Sequence, residues 1–200
     1  MALNANALVT LPQAKGNLGE TSSANDEIIE RQINALSLSF ESGTGRKLKQ
    51  QTLTDYRVNG NSKTYLFLPF VPVQSVSKVE IRYSINDSIY KTITDTSKFL
   101  LKDKRTGILQ LKEDSFVCGV KNILVTMSVG YLATDGELAQ AQALLLTQLK
   151  FDYNKWQHNE IGVTSRTLQD GSIGFVTGSQ FLKEVREGLE ALQDRRVLVF

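Results

Sequence analysis

One histidine and one cysteine occur in 200 residues, so chemistry built on imidazole or thiolate must use His158 or Cys118. A Ser-His-Asp or Cys-His arrangement would depend on His158 alone, and that residue lies between Gln157 and Asn159 where a helical pattern ends. It reads as a solvated helix-end side chain. Cys118 by itself can form no internal disulfide, no CxxC zinc pair and no iron–sulfur cluster. Gly43-Thr44-Gly45-Arg46-Lys47 has the composition of a phosphate loop, but it follows a helix, leads into strands and lacks the glycine-to-lysine spacing such a loop needs. It reads as a helix exit. Glu113-Asp114 reads as a turn between strands, not as a paired acid and base. The expectation is therefore no catalytic residue, no metal site, no cofactor and no enzymatic activity.

Basic residues cluster twice, at Arg46, Lys47 and Lys49 and at Lys102, Lys104 and Arg105, and neither cluster is interleaved with the aromatic residues of a stacking platform. Base-specific reading is not expected. Lys102, Lys104 and Arg105 are candidates only for a non-specific DNA-channel or polar contact, in which many copies pool their charge against a phosphate backbone. The whole chain has 23 Lys plus Arg against 21 Asp plus Glu, a formal charge of +2, so composition argues against a strongly cationic binder.

The elements that must position these residues can be read from periodicity. Hydrophobic residues make up 41% of the chain, enough for a core in about one to two domains. No apolar run reaches the ~18–20 residues that cross a bilayer, and the N-terminus lacks the basic and apolar regions of a signal peptide. No membrane association and no secretory export are expected. Thr10-Leu11-Pro12 reads as a helix cap with proline in the first turn, and Gly16 or Gly19 as the exit. A second helix starts near Asn25 or Asp26, with Ile29, Ile33, Leu36 and Phe40 on one face.

From about Leu48 to Tyr131 the period changes to two. Lys78 to Ile85 alternates, and Ile123, Val125, Met127, Val129 and Tyr131 occupy every second position. Turn chemistry at Asn59-Gly60-Asn61, Asn86-Asp87-Ser88 and Asp103–Gly107 predicts about six short strands in an antiparallel meander. A long helix follows from about Gly136 to Trp156, capped by Thr134 or Asp135, its apolar face built from Leu138, Ala141, Leu145, Leu149, Tyr153 and Trp156. Residues 158–178, with four glycines, suit an extended arm; Ser179 then caps a last helix with Leu182, Val185, Leu189 and Leu192 in one stripe. The fold class is α+β: a helical bundle core with an inserted antiparallel β-sheet or small sandwich and a C-terminal arm plus helix. The divisions are 1–46 for the N-terminal helices and 47–133 for the β domain. Residues 134–157 form a long helix packing back on the first helices, and 158–200 an arm, helix and tail for docking.

The succession of certain phrases resembles the head-to-tail connector proteins of long-tailed bacteriophages, also called adaptor or head completion proteins. The phrases are Ala7-Leu8-Val9-Thr10-Leu11-Pro12-Gln13-Ala14-Lys15, Asp26–Ile33 with Thr44-Gly45-Arg46 after it, and the most specific, Leu66 to Val79 with its Leu-Pro and Pro-Val pairs. Thr106-Gly107-Ile108-Leu109, then Val125 to Tyr131 leading into a capped helix, and a C-terminal helix ending in Arg195-Arg196 complete the order. The β block is larger than in the smallest members of that family. Any small β domain could use one of these phrases to end an edge strand or close a turn, so the resemblance lies in their order along nearly the whole chain.

What the resemblance implies is mechanical. The chain would be a virion neck protein, made in the bacterial host cytoplasm, closing into a ring of roughly twelve copies beneath the portal protein. The ring would extend the channel for double-stranded DNA and present a surface to a downstream stopper or tail protein. Phe175, Val176, Phe181, Leu198, Val199 and Phe200 are the expected contacts to the portal or a neighbouring copy, because they are apolar residues of an arm and tail. Two other readings stay open: a stopper or tail-completion protein of the same neck, and a small β-domain enzyme or ligand-binding protein.

Overall fold

The computed structural model of the chain describes residues 2–158, 165–168, 171–174 and 181–193. It is an α+β protein with two compact units, Met1–Gly43 with Ala139–Leu192, and Thr44–Leu138.

The helical unit begins with α1, Leu11–Leu18. Thr10 caps it reciprocally with Gln13: the Gln13 N–H reaches the Thr10 hydroxyl, and the Thr10 N–H donates to Gln13 Oε1 at 2.8 Å. Gly19, at φ 71°, makes the left-handed exit, while Gly16 stays within the helix. Helix α2, Asp26–Thr44, buries Ile29, Ile33, Leu36 and Phe40 as their spacing predicts. Helix α3, Gly136–Gln157, buries Leu138, Ala141, Leu145, Leu149 and Tyr153 but leaves Trp156 half-exposed.

Three hydrogen bonds set α2 and α3 antiparallel. Asn25 Nδ2, just before α2, donates to the Tyr153 hydroxyl near the end of α3 at 2.9 Å. Leu8 connects the other ends: its N–H donates to Ser37 Oγ and its carbonyl accepts from Gln142 Nε2 at 2.7 Å. The arm expected over 158–178 contains a two-stranded antiparallel hairpin, β8 (Ser165–Leu168) with β9 (Gly171–Gly174). Helix α4, Lys183–Leu192, buries Val185, Leu189 and Leu192 and exposes Lys183, Glu184, Arg186, Glu187 and Glu190. The expected cap Ser179 lies outside the described residues.

The β unit holds seven strands: β1 Gln51–Gly60, β2 Tyr65–Phe67, β3 Val73–Ile81, β4 Lys91–Ile93, β5 Phe99–Asp103, β6 Ile108–Leu111 and β7 Gly119–Val129. All pair antiparallel, but not as a meander. One sheet runs β1-β7-β3-β4 and the other β2-β6-β5, so the first and last strands of the block are neighbours. The inner faces of both sheets meet in one core, with Val79, Ile81, Val125 and Met127 from the first sheet and Leu66, Phe99, Leu109 and Leu111 from the second.

The long β1–β7 pairing has a polar keystone. Asn122 is fully buried; its Oδ1 accepts the Gly60 N–H at 2.9 Å, and its Nδ2 donates to the carbonyls of Arg82 and Val117, each at 2.9 Å. Glycine is required beside it, since a Cβ on Gly60 would lie 1.7 Å from the Val117 oxygen. One residue thus ties β1, β7 and the end of β3 together and satisfies three partly buried backbone groups.

Candidate functional site

The expected docking residues are aromatic and aliphatic side chains of the arm and tail. Phe181 is the one among the described residues, and it is half-buried, edge-on to Phe40 of α2 with ring centroids 5.5 Å apart. Phe175, Val176, Leu198, Val199 and Phe200 lie outside the described residues. The start of α4 is held beside Phe181 by Gln148, a fully buried residue of α3 whose Oε1 accepts the Leu182 N–H at 2.9 Å. Its amide in turn donates to Asp152 Oδ1 at 2.9 Å. Burial pushes the Asp152 carboxyl above its ordinary value, and the Gln148 bond and Lys155 oppose that shift. Farther along α4, Gly188 lets the helix approach Leu144 so closely that an added Cβ would meet that side chain at 2.6 Å.

Lys102, Lys104 and Arg105 lie at the end of β5 and in the turn to β6, all exposed. Asp103 shapes this turn by accepting the Arg105 N–H at 2.8 Å and the Thr106 hydroxyl at 2.9 Å, bonds that hold its carboxyl below its usual value. Gly107 closes the turn at φ 66°. Lys104 and Arg105 also line a cavity of about 280 Å³ with Pro72, Tyr131 and Leu132, where Asp135 and Glu137 supply opposite charge. Arg105 stands 3.6 Å from Glu137. Two cations facing two carboxylates leave this recess with no net charge to select a small ion.

The residues with chemistry suited to catalysis are dispersed. His158 is exposed at the end of α3, and Asp114 is ion-paired with Lys91 at the protein surface. Cys118 is exposed, and no group of three or more His, Cys, Asp or Glu is placed to hold a metal among the described residues. No described helix is long and apolar enough to cross a membrane.

What sequence reading missed is the neighbourhood of Lys102. On β2-β6-β5, Tyr65 stands opposite Gln110 and Gln110 opposite Leu100; Phe67 stands opposite Ile108. Because Leu66, Leu109, Leu111 and Phe99 are buried, strand alternation puts Tyr65, Phe67, Ile108, Gln110 and Leu100 on the outward face, with exposed Lys102 at a bulge where Ile108 pairs with Asp103. Lys63 and Lys112 lie just beyond the ends of β2 and β6, and Lys98 in the 3-10 turn that leads into β5; all three are exposed. The alternation of the strands was visible in the sequence; the pairing that gathers these residues was not.

A sequence profile of head completion proteins matches residues 7–193. The chain belongs to the head completion protein family. No functionally curated protein matches it. Among solved structures, this head completion protein is similar to a chain in the neck of an empty GTA particle computed with C6 symmetry, at 16% identity and a TM-score of 0.57, covering 100% of this chain and 96% of that one. A chain in the neck of a native GTA particle computed with C12 symmetry is 18% identical, with a TM-score of 0.54 and coverage of 100% and 99%. A chain of the virion of a native gene transfer agent particle gives 18% identity, a TM-score of 0.52 and coverage of 100% and 96%. The likeness to these structures is one of fold.

Proposed function

We propose that this head completion protein is the structural head-to-tail adaptor in the neck of a phage or phage-like particle. Copies close into a ring beneath the portal, lengthen the channel through which double-stranded DNA passes, and offer their far side to a stopper or tail protein. It works by assembly and carries out no reaction. The family match over residues 7–193 carries this reading. The similar chains come from necks computed with C6 and C12 symmetry, and a twelve-copy ring is compatible with both.

In this reading Phe175, Val176, Phe181, Leu198, Val199 and Phe200 attach the protein to the portal or to the next copy. Phe181 already has a partner in Phe40, so its share in attachment would require that edge contact to be exchanged or extended. Lys102, Lys104 and Arg105 are placed to meet passing DNA only without sequence preference. Imaging particles assembled with and without the gene tests the assignment: density for the chain as a ring under the portal is expected, and normal tailed particles in its absence would overturn it. Truncation after Arg196 tests the tail, with reduced attachment to portal-bearing capsids as the expected result.

A further inference from the structure

The two sheets of the β unit share a core, yet their outward faces differ in kind. On the four-stranded sheet, Lys78 is paired with Asp55 at 2.7 Å and Glu80 at 3.0 Å. On the three-stranded sheet Tyr65, Gln110 and Leu100 stand abreast on the outward side and Phe67 stands beside Ile108; Ile108 pairs in turn with Asp103, exposed Lys102 sits at the bulge before it, and exposed Lys63, Lys112 and Lys98 lie just beyond the strand ends. Backbone bonds bring the segments that carry these lysines together, Lys112 N–H to the Lys98 carbonyl at 3.0 Å and Leu111 N–H to the Thr64 carbonyl at 2.8 Å. Asp103 is the one carboxylate among these positions. Of the nearby acids, Asp103 is turned into its own loop, and Asp95, beside Lys98 and Lys112, caps a turn through the Ser97 N–H.

Like charges abreast on neighbouring strands, about 5 Å apart, oppose sheet formation. Three exposed lysines gathered at the ends of neighbouring strands repel in the same way, a local cost that an anionic partner would relieve. Apolar surface lies next to it: Phe67 is 39% and Leu100 48% exposed, with Lys63 above the Tyr65 ring and Tyr65 edge-on to Phe67. Protein interfaces favour aromatics but are depleted in lysine, whereas a polynucleotide takes both, phosphates on the lysines and a base on the ring. In a duplex the base faces are hidden, leaving Phe67 and Leu100 nothing to cover; a single strand exposes them.

We propose that the outward face of β2-β6-β5 binds single-stranded DNA, with Lys63, Lys98, Lys102 and Lys112 on the phosphates and Phe67 beneath a base. The site is complete within one chain, so it does not depend on the ring or on the neck assignment. It also requires no grip on an intact duplex.

Fluorescence anisotropy of the full chain with a labelled oligothymidine, an equal-length duplex and a poly-glutamate competitor tests this. Four phosphate contacts give a slope of log K against log salt of about −3, a loss of about 50-fold between 50 and 200 mM. Changing Lys63, Lys98 and Lys112 together to Gln is expected to cut that slope by about 2, and Phe67→Ala to weaken binding by about 5- to 150-fold with the slope intact. Lys150→Gln, an exposed change on α3, is expected to leave binding unchanged. Circular dichroism melts establish that each variant is folded. Absence of binding at 50 mM salt, equal or tighter binding of the duplex, equal displacement by poly-glutamate, or equal loss in the Lys150 variant would each overturn the proposal.

Discussion

Replacing Asn122 tests whether a buried amide holds the β unit together. In Asn122→Ala the Gly60 N–H and the carbonyls of Arg82 and Val117 lose partners that now lie at 2.9 Å. A buried polar group left unmatched costs about 1–3 kcal/mol; these three are partly buried, so the low end applies and the expected loss is about 3 kcal/mol. That is a large part of the ~5–15 kcal/mol that stabilises a typical domain. Asn122→Asp separates the hydrogen-bonding from the shape. The carboxylate still accepts from Gly60, but it turns negative oxygen toward two carbonyls in a site closed to solvent, so at neutral pH it is expected to be at least as damaging as alanine. Its sign with pH is fixed. The site favours the neutral acid and raises the folded pKa above the ordinary carboxylate value, so stability is fully present below the unfolded value and is lost as pH rises through the folded one. Urea denaturation at pH 7 and pH 4, followed by circular dichroism, reads both effects. A loss below about 1 kcal/mol for alanine, or an Asp variant indifferent to pH, would refute the keystone argument.

Four further outcomes follow from the packing. Gly130→Ala is expected to destabilise the β unit by several kcal/mol in the same assay, because the residue sits at φ 98° and a Cβ would meet the Lys49 carbonyl oxygen at 2.3 Å. Phe116→Ala empties a fully buried site, with an expected loss of about 3–5 kcal/mol by denaturant titration. Thr10→Ala removes the reciprocal cap of α1 and is expected to cost about 1 kcal/mol, read as faster amide exchange in the first turn. Asp152→Asn keeps an acceptor for Gln148 and removes a carboxylate that burial disfavours. Its thermal midpoint is expected to rise relative to the parent above the ordinary carboxylate range and to converge with it in acid, where both side chains are neutral.

The helices were legible because their signals are local. Thr10, Pro12 and Gln13 stand within one turn, and the apolar stripe of α2 needs no knowledge of its partner. Strand β7 was equally plain: Ile123, Val125, Met127 and Val129 are all buried. The alternation over Lys78 to Ile85 misled twice. Strand β3 ends at Ile81, leaving Tyr83 exposed against Tyr90, and Glu80 is buried and ion-paired with Lys78. Pairing order was hidden for a physical reason: a period of two says which residues face the core, not which strand lies alongside. The β1–β7 neighbourhood depends on Asn122 and on Gly60 and Gly119, polar and small residues that periodicity passes over. The same limit kept the docking residues apart from their neighbours; Phe181 was read without Phe40.

Near-balance of charge, 23 basic against 21 acidic residues, describes the chain and not its surfaces. On the four-stranded sheet Asp55 is held below its usual value and Lys78 above its own, each chiefly by their mutual hydrogen bond. Stability from Asp55 would be present above the unfolded carboxylate value and lost as acid passes the folded one; that from Lys78 would be present below its unfolded value and lost as base passes the folded one. The pair is thus ionised throughout neutral pH. Exposed pairs of this kind add little stability, so their consequence is a face whose charges cancel locally. Net charge near zero thus coexists with a local gathering of exposed lysines at the other sheet, Lys63, Lys98, Lys102 and Lys112, whose mutual repulsion salt screens over about 8–10 Å.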